Sequence, residues 1–399
     1  MSRHLAVRAS PKPVSKAGLR NLAVPGPVLP IVRHLLVLKG AGIATLGLCL
    51  GQTPPTHSRA TGWDEVKAAQ RPVCALKDQF EPPFCQPMAS LAWEDGVYVS
   101  RDGLALYADY VQCDLFSFFL SNPDMREVWR YQRGPDLGQD FTNPFNTGHP
   151  WIHGDVAVST RTSRDKPFGP WHLSNMSGKI QNLGGISAVG TTGRPGHYDF
   201  VAYTSDIKDG VKIKLMREVD QELAGDEKGV LLPGCINDNY HADNPHIERP
   251  DPAKSNELVL FWDSDNRPGR GQHDIFYSQS RDAGVTWADA KPVNSVNTAS
   301  EEEQPHLYQE RGQCWLYFSG TNPQDGKLGI FRCRQTRPGD WDSWGDRELV
   351  VGAGTSAGIG EPTVTQDGDL SFVVVTINGA HGTPTDRYDC DPWFMKRKR

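Results

Sequence analysis

The sequence predicts an all-β chain, and three observations carry that expectation. Short runs rich in β-branched and aromatic residues recur from about residue 90 onward, among them Val97–Ser100, Leu106–Ala108, Val156–Ser159, Leu258–Trp262 and Phe372–Val375. Each run is bounded by Gly, Asp, Asn or Pro, and Gly and Pro together make 70 of the 399 residues, about 18% against a typical 12%. Helical periodicity is scarce, with only Arg217–Leu223 hinting at a helix. The hydrophobic fraction of 38% excludes disorder over the whole chain. No uninterrupted apolar run of about 20 residues occurs, which excludes a multi-pass membrane protein.

The strands fall into a repeat. One unit runs from Asp243-Asn244-Pro245-His246-Ile247 to Trp287, and the next from Glu303-Gln304-Pro305-His306-Leu307 to Trp341. A third begins at Gly360-Glu361-Pro362-Thr363-Val364, so Pro245, Pro305 and Pro362 are 60 and 57 residues apart. A unit of that length with about four short strands reads as one blade of a β-propeller, since a lone blade cannot bury both its faces. Dividing the chain by the repeat predicts six four-stranded antiparallel blades, with five as the runner-up. A β-sandwich with an accessory domain is the alternative architecture. The expected organisation is a leader over 1–55, a linker leading into the propeller over 56–90, the propeller over 91–395 and a basic tail over 396–399.

Charge divides the chain into unlike parts. Residues 1–60 hold eight Lys/Arg and no Asp or Glu, so the rest carries 34 basic against 48 acidic residues, or −14. An acidic body argues against nucleic acid as a partner, because phosphate recognition needs a positive footprint. The apolar stretch Leu35–Leu50 follows Arg33-His34 and precedes a polar flank, the layout of a secretory signal. A transit peptide shares that composition; export, periplasmic or extracellular, is the preferred reading, with membrane contact through the leader alone. Seven cysteines lie outside the leader, without zinc-type spacing. Cys314 and Cys333 would either pair or stay as buried thiols.

Two motifs resemble known families. Ser280-Arg281-Asp282-Ala283-Gly284-Val285-Thr286-Trp287 resembles the Asp-box of sialidase-like propellers, the bacterial neuraminidase repeat. Its Ser280, Asp282, Gly284, Thr286 and Trp287 have the chemistry of a turn: polar side chains bond the backbone, Gly takes positive φ, and Trp packs. In that family the box lies on the outside of a blade, so the resemblance implies a fold and not a catalytic role. Ser163-Arg164-Asp165 through Trp171 looks like a degenerate copy. The order from Asp274 to Gly320 is similar to the blade repeat of TolB-type six-bladed periplasmic propellers, which implies fold and compartment and an envelope-protein partner. True sialidases carry an Arg-Ile-Pro motif that this sequence lacks.

Three readings of the site compete. Inner strands starting at the X-Pro positions would aim Asn244, His246, Gln304 and His306 at one channel mouth, with Glu303 pointing away unless the strand bulges. In the first reading the chain binds and hydrolyses a carbohydrate there, two of Asp102, Asp155, Glu303 and Glu361 serving as acid and base. Arg133, His153, Trp151 and Trp262 would then join Asn244, His246, Gln304 and His306 in holding a glycan or another small-molecule ligand. No cofactor is required by that chemistry. In the second reading His246, Gln304 and His306 hold a divalent metal in the channel, as in a polysaccharide lyase. In the third the propeller is a non-catalytic interaction module.

Overall fold

The computed structural model describes residues 62–90, 92–111, 154–176, 182–191, 193–207, 210–223, 229–378 and 387–399. Five antiparallel sheets follow one another along the chain. Blade 1 contains β3 (Trp93–Val99), β4 (Ala105–Val111), β5 (Gly154–Thr160) and β6 (His172–Leu173). Blade 2 contains β7 (Asn182–Gly190), β8 (His197–Ile207), β9 (Gly210–Asp220) and β10 (Val230–Leu231). Blade 3 contains β11 (Asp243–Glu248), β12 (Leu258–Ser264), β13 (Asp274–Ser280) and β14 (Lys291–Pro292). Blade 4 contains β15 (Glu302–Glu310), β16 (Gln313–Thr321), β17 (Leu328–Arg334) and β18 (Glu348–Gly352). Blade 5 contains β19 (Gly358–Val364), β20 (Leu370–Asn378) and β21 (Arg387–Met395).

The N-terminal segment completes the last two blades. β1 (Val73–Cys74) adds a fifth strand to blade 4 by pairing with β18, and β2 (Phe84–Cys85) supplies the outer strand of blade 5 by pairing with β21. Helix α1 (Trp63–Ala69) precedes them, and a four-residue helix α2 (Gly234–Asn237) lies before β11. Residues 79–81 bond the C-terminal end, through Glu81 N–H to Lys396 O and Lys398 N–H to Gln79 O.

The propeller therefore has five blades, and the expectation of six is corrected. The error has a simple cause: residues 112–153 separate β4 from β5 inside a single blade, so length divided by repeat overcounts. Residues Arg217–Leu223 are likewise largely strand, in β9, where a helix was hinted. The six described cysteines, Cys314 and Cys333 among them, are free thiols.

Each junction between consecutive blades has its own core. Tyr98 and Tyr107 meet Val201 and Tyr203 between blades 1 and 2; Ala202 and Leu215 meet Leu260 and Trp262 between 2 and 3. Phe261 meets Phe318 and Trp341 between blades 3 and 4, and Tyr317 and Ile330 meet Phe372 and Trp393 between 4 and 5. Trp93 and Val97 meet Cys390 and Phe394 between blades 5 and 1, which closes the ring. Burial of aromatic side chains at about 25 cal/mol per Å2 makes these junctions the main stabilising element.

All five inner strands carry a β-bulge at the same height. The register shifts between Asp95 and Tyr98, Gly184 and Ile186, Asp243 and His246, Glu303 and His306, and Gly360 and Thr363. The extra residue is left-handed in every case: Gly96 (φ 58°), Gly185 (47°), Asn244 (48°), Gln304 (55°) and Glu361 (58°). Blades 1 and 2 need glycine there, because a Cβ on Gly96 would sit 2.9 Å from the Gly185 nitrogen. Blades 3 to 5 instead place a side chain in that conformation, at a cost of roughly 1–2 kcal/mol each for the larger residues.

Candidate functional site

The bulges bring the left-handed residue and the two that follow it in each inner strand to the axis. A small opening lies among them, lined from all five inner strands by the bulge residue and its neighbours, Gly96 round to Thr363. We call the end at which the inner strands begin the mouth.

Two tiers of hydrogen bonds tie neighbouring blades together around this opening. In the upper tier Val97 N–H donates to Glu361 Oε2 at 2.9 Å, and Glu361 N–H donates to Gln304 Oε1 at 2.9 Å. Gln304 N–H donates to Asp263 Oδ2 at 2.7 Å, and Asn244 Nδ2 donates to the same oxygen at 2.9 Å. The strained left-handed residues Gln304 and Glu361 thus have their N–H groups held by side chains of the preceding blade, which offsets the strain. In the lower tier the side chain two residues further on bonds the next blade's inner strand. Tyr98 Oη donates to Ala188 O at 2.8 Å, and Ile247 N–H donates to Ser187 Oγ at 3.1 Å. Val364 N–H donates to His306 Nε2 at 3.1 Å, and Val99 N–H donates to Thr363 Oγ1 at 3.0 Å.

His246 occupies the corresponding place in blade 3, its ring beside the Leu307 backbone and 4.1 Å, centroid to centroid, from the His306 ring. Burial, with the neighbouring imidazole, holds its pKa well below the usual value. Burial brings His306 down to about 3. Both are neutral imidazoles at neutral pH.

Carboxylates gather above these tiers, at the mouth. Asp95, Asp243 and Glu303 stand at one register position, immediately before the bulge in blades 1, 3 and 4. Asp95 is half-buried and accepts from the Trp93 indole at 3.0 Å. Asp243 accepts from Thr204 Oγ1 at 2.8 Å. Glu303 is buried, with Oε2 3.7 Å from His273 Nδ1, an atom also 3.7 Å from Asp263 Oδ1. Asp95 and Glu361 both lie near enough to Cys390 to raise its thiol pKa, although burial is the larger cause.

The residues singled out from sequence are distributed unevenly. Asn244, His246, Gln304, His306 and Glu361 come together around the opening, whereas Glu303, immediately before the bulge, is buried beside His273 and does not line it. Asp155 is fully buried in β5, opposite Tyr110 at the mouth end of blade 1. Asp102 lies at the far end, in the β3–β4 turn, where it accepts from Ser100 Oγ at 2.6 Å and Leu104 N–H at 3.0 Å. That is the geometry of a turn residue, remote from any mouth chemistry. Trp262 is fully buried in the core between blades 2 and 3, stacked with Phe276, and so does not face a sugar. Arg133, Trp151 and His153 lie outside the described residues.

The box at Ser280–Trp287 also lies at the end opposite the mouth, following β13. Thr286 N–H and Thr286 Oγ1 donate to the two oxygens of Asp282 at 2.9 and 2.6 Å, Ser280 Oγ donates to Asp282 Oδ1 at 2.8 Å, and Gly284 has φ 76°.

Nothing local in the sequence marks Asp95, Asp243, Asp263, His273 or Glu301 as a site residue. Asp95 is recoverable only after Gly96 is aligned with Asn244 and Gln304, for no proline marks that bulge. His273 and Glu301 flank Asp274 and Glu303 in sequence, yet only the fold brings them side by side.

The fold and the site together define a five-bladed β-propeller with an acidic axial mouth. No family model and no characterised protein sequence matches the chain. Among solved structures it is similar to an α-L-arabinofuranosidase from Lactobacillus brevis (10% identity, TM-score 0.45), over 77% of this chain and 92% of that one. It is similar also to an endo-arabinase from Bacteroides thetaiotaomicron (12% identity, TM-score 0.41), over 77% and 96%. A mutant NanB sialidase from Streptococcus pneumoniae aligns at 12% identity and TM-score 0.37, over 61% of this chain and 36% of that one. Likenesses this distant carry no inference about activity; the blade number is read from the strand order itself.

Proposed function

We propose that the chain is a glycoside hydrolase acting at the axial mouth, with Asp95 and Glu361 as its working carboxylates. The observation that carries this reading is their placement at the junction of blades 1 and 5, one half-open and one fixed. Glu361 is fixed by Val97 N–H on Oε2, with Gln304 Nε2 3.4 Å from Oε1. These donors hold the carboxylate in one orientation at the rim of the opening. Glu361 then serves as the negative group facing the developing oxocarbenium ion and takes a proton from the attacking water. Asp95 protonates the leaving glycosidic oxygen as the carbon–oxygen bond breaks. The amides of Asn244 and Gln304, at the rim of the opening, are suited to sugar hydroxyls. The resemblance of Ser280–Trp287 to the Asp-box of sialidase-like propellers agrees with a carbohydrate-active scaffold. No cofactor takes part in this acid–base scheme, and the acid-rich body is unsuited to nucleic acid. Export through the basic, acid-free leader belongs to the same reading. No helix of the described residues is long and apolar enough to cross a membrane.

Hydrolysis of aryl glycosides and of a polysaccharide panel by the purified protein tests this reading. Asp95→Asn should lower kcat by about 10^2–10^4, the range that general acid–base groups contribute. It is the cleaner variant, because Glu361 also holds the Val97 backbone. Undiminished turnover in Asp95→Asn would sink the assignment. A wild-type protein inert towards the whole panel would favour the non-catalytic interaction module.

A further inference from the structure

A second centre lies beside the opening, at the junction of blades 3 and 4, and the hydrolase scheme does not use it. His273, from the end of the β12–β13 connection, lies against Glu301 and Glu303 at the start of β15, with one donor atom from each within 4.8 Å of the others. All three residues are at least nine-tenths buried, as is Asp263. The backbone holds them in place: residues 273 and 301 form a parallel bridge, and Glu302 N–H donates to His273 O at 3.1 Å. Strand alternation sends Glu302 to the other side, where Arg347 at 2.8 Å and Thr298 Oγ1 at 2.8 Å take its carboxylate. Glu301 and Glu303 are thereby turned towards His273. Asp263 has Oδ2 occupied by Asn244 Nδ2 and Gln304 N–H, an orienting arrangement that turns Oδ1 to the same imidazole.

We propose that His273, Glu301 and Glu303 form a binding site for a divalent transition ion of the zinc class, with Asp263 beside the imidazole. The spacing of the three donor atoms suits a shared ion. His273 Nδ1 is 3.7 Å from both Asp263 Oδ1 and Glu303 Oε2, too long for hydrogen bonds. Two donors each about 2.1 Å from a shared tetrahedral ion stand roughly 3.4 Å apart, close to the 3.7 Å between His273 Nδ1 and Glu303 Oε2. One imidazole among carboxylates favours zinc or manganese over calcium and magnesium, which prefer oxygen alone.

The test is metal binding by the full chain without substrate, so its failure leaves the Asp95/Glu361 reading untouched. The chelator-treated protein is titrated calorimetrically with ZnCl2, MnCl2 and CaCl2, and zinc retained after gel filtration is counted by elemental analysis. One equivalent of zinc is expected. His273→Ala and the near-isosteric Glu301→Gln should each weaken it at least about tenfold, while His241→Ala, at the same end but paired with Asp265 at 2.7 Å, should leave it unchanged. Zinc should also raise the Tm of the wild type and not that of Glu301→Gln, a comparison that holds even if His273→Ala folds poorly. Stoichiometry and affinity unchanged in both variants would overturn the site, as would a wild-type protein that retains no transition ion. Tighter binding of calcium than of zinc would overturn the ion class.

Discussion

The axis and the N-terminal clamp both bury titratable side chains, and they do so in opposite ways. Along the axis, His246 and His306 are neutral and serve the packing between inner strands. At the clamp, α1 lays Lys67 against blade 5, with Nζ 2.6 Å from Asp389 Oδ2, 2.7 Å from Asp391 Oδ1 and 2.7 Å from the Ser90 carbonyl. Ser90 in turn donates its N–H and Oγ to the buried Glu94 at 2.9 and 2.6 Å. Blades continuous in sequence are joined by bonds between side chains and backbone, repeated at one register. At the clamp the chain adds charge, two carboxylates around one ammonium. The axial tiers recur at every described junction between blades, that of blades 5 and 1 included, whereas the clamp is a single, unrepeated contact.

The largest effect should come from breaking the clamp. Lys67→Met leaves Asp389 and Asp391 buried without their cation, and breaking such a pair costs about 3–5 kcal/mol. Urea unfolding at pH 8.5 should show this loss. At pH 5 the loss should be smaller, because the abandoned carboxyls take up protons. A loss below about 1 kcal/mol at pH 8.5 would mean that β1 and β2 alone close the ring.

The second effect is the opposed pH response. Burial raises the Asp389 pKa to about 8, with Asp391 adding repulsion, and burial likewise raises Asp391 and Glu94. The folded protein therefore holds protons that the unfolded chain releases near the ordinary carboxylate pKa of about 4. That contribution to stability is complete below about pH 4 and is lost as pH rises towards 8. The histidines run the other way. Their folded pKa values are depressed, so their contribution is complete above about pH 6.5 and is lost as pH falls towards 3. Asp389→Asn should flatten the stability profile between pH 4 and 8. His306→Leu should flatten the limb between 6.5 and 3, and at pH 7 should cost about 1–3 kcal/mol by leaving the Val364 N–H without its acceptor. Unfolding midpoints across pH 3–9 separate the two; a shared window would break the comparison.

The two regions were also unequally legible in the amino-acid sequence. The axis announces itself through Asn244-Pro245, Gln304-Pro305 and Glu361-Pro362, because the bulge recurs with the repeat and the proline recurs with the bulge. Blades 1 and 2 solve the same problem with Gly96 and Gly185 and so give no such signal. The repeat fixes blade length but not blade number, since residues 112–153 lengthen one blade without adding another. The clamp left no trace: α1, β1 and β2 read as a linker, and Lys67 reads as one lysine among many until Asp389 and Asp391 are seen beside it. Asp102 shows the converse error, because an Asp between Gly and Arg carries the same letter in a turn as in a catalytic cup. Proximity across blades, as of His273 with Glu301, has no sequence signature at all.

The smallest effect belongs to the far end of blade 3, where a third kind of polar cluster sits in water. Hydrogen bonds from the Thr286 hydroxyl and N–H, with Ser280, lower the Asp282 pKa to about 2. A depressed carboxyl contributes stability above its ordinary pKa of about 4 and loses it as pH falls towards 2. Asp282 is only half-buried, however, and its bonds compete with water, whereas the axial His306 and the clamp Lys67 compete with little but protein. Asp282→Ala should therefore lower Tm by less than His306→Leu does. It should leave both glycoside turnover and zinc binding unchanged, because the box and the mouth lie at opposite ends of the blades. A Tm loss exceeding that of His306→Leu would show that the turn, rather than the buried ring, sets the stability of the blade.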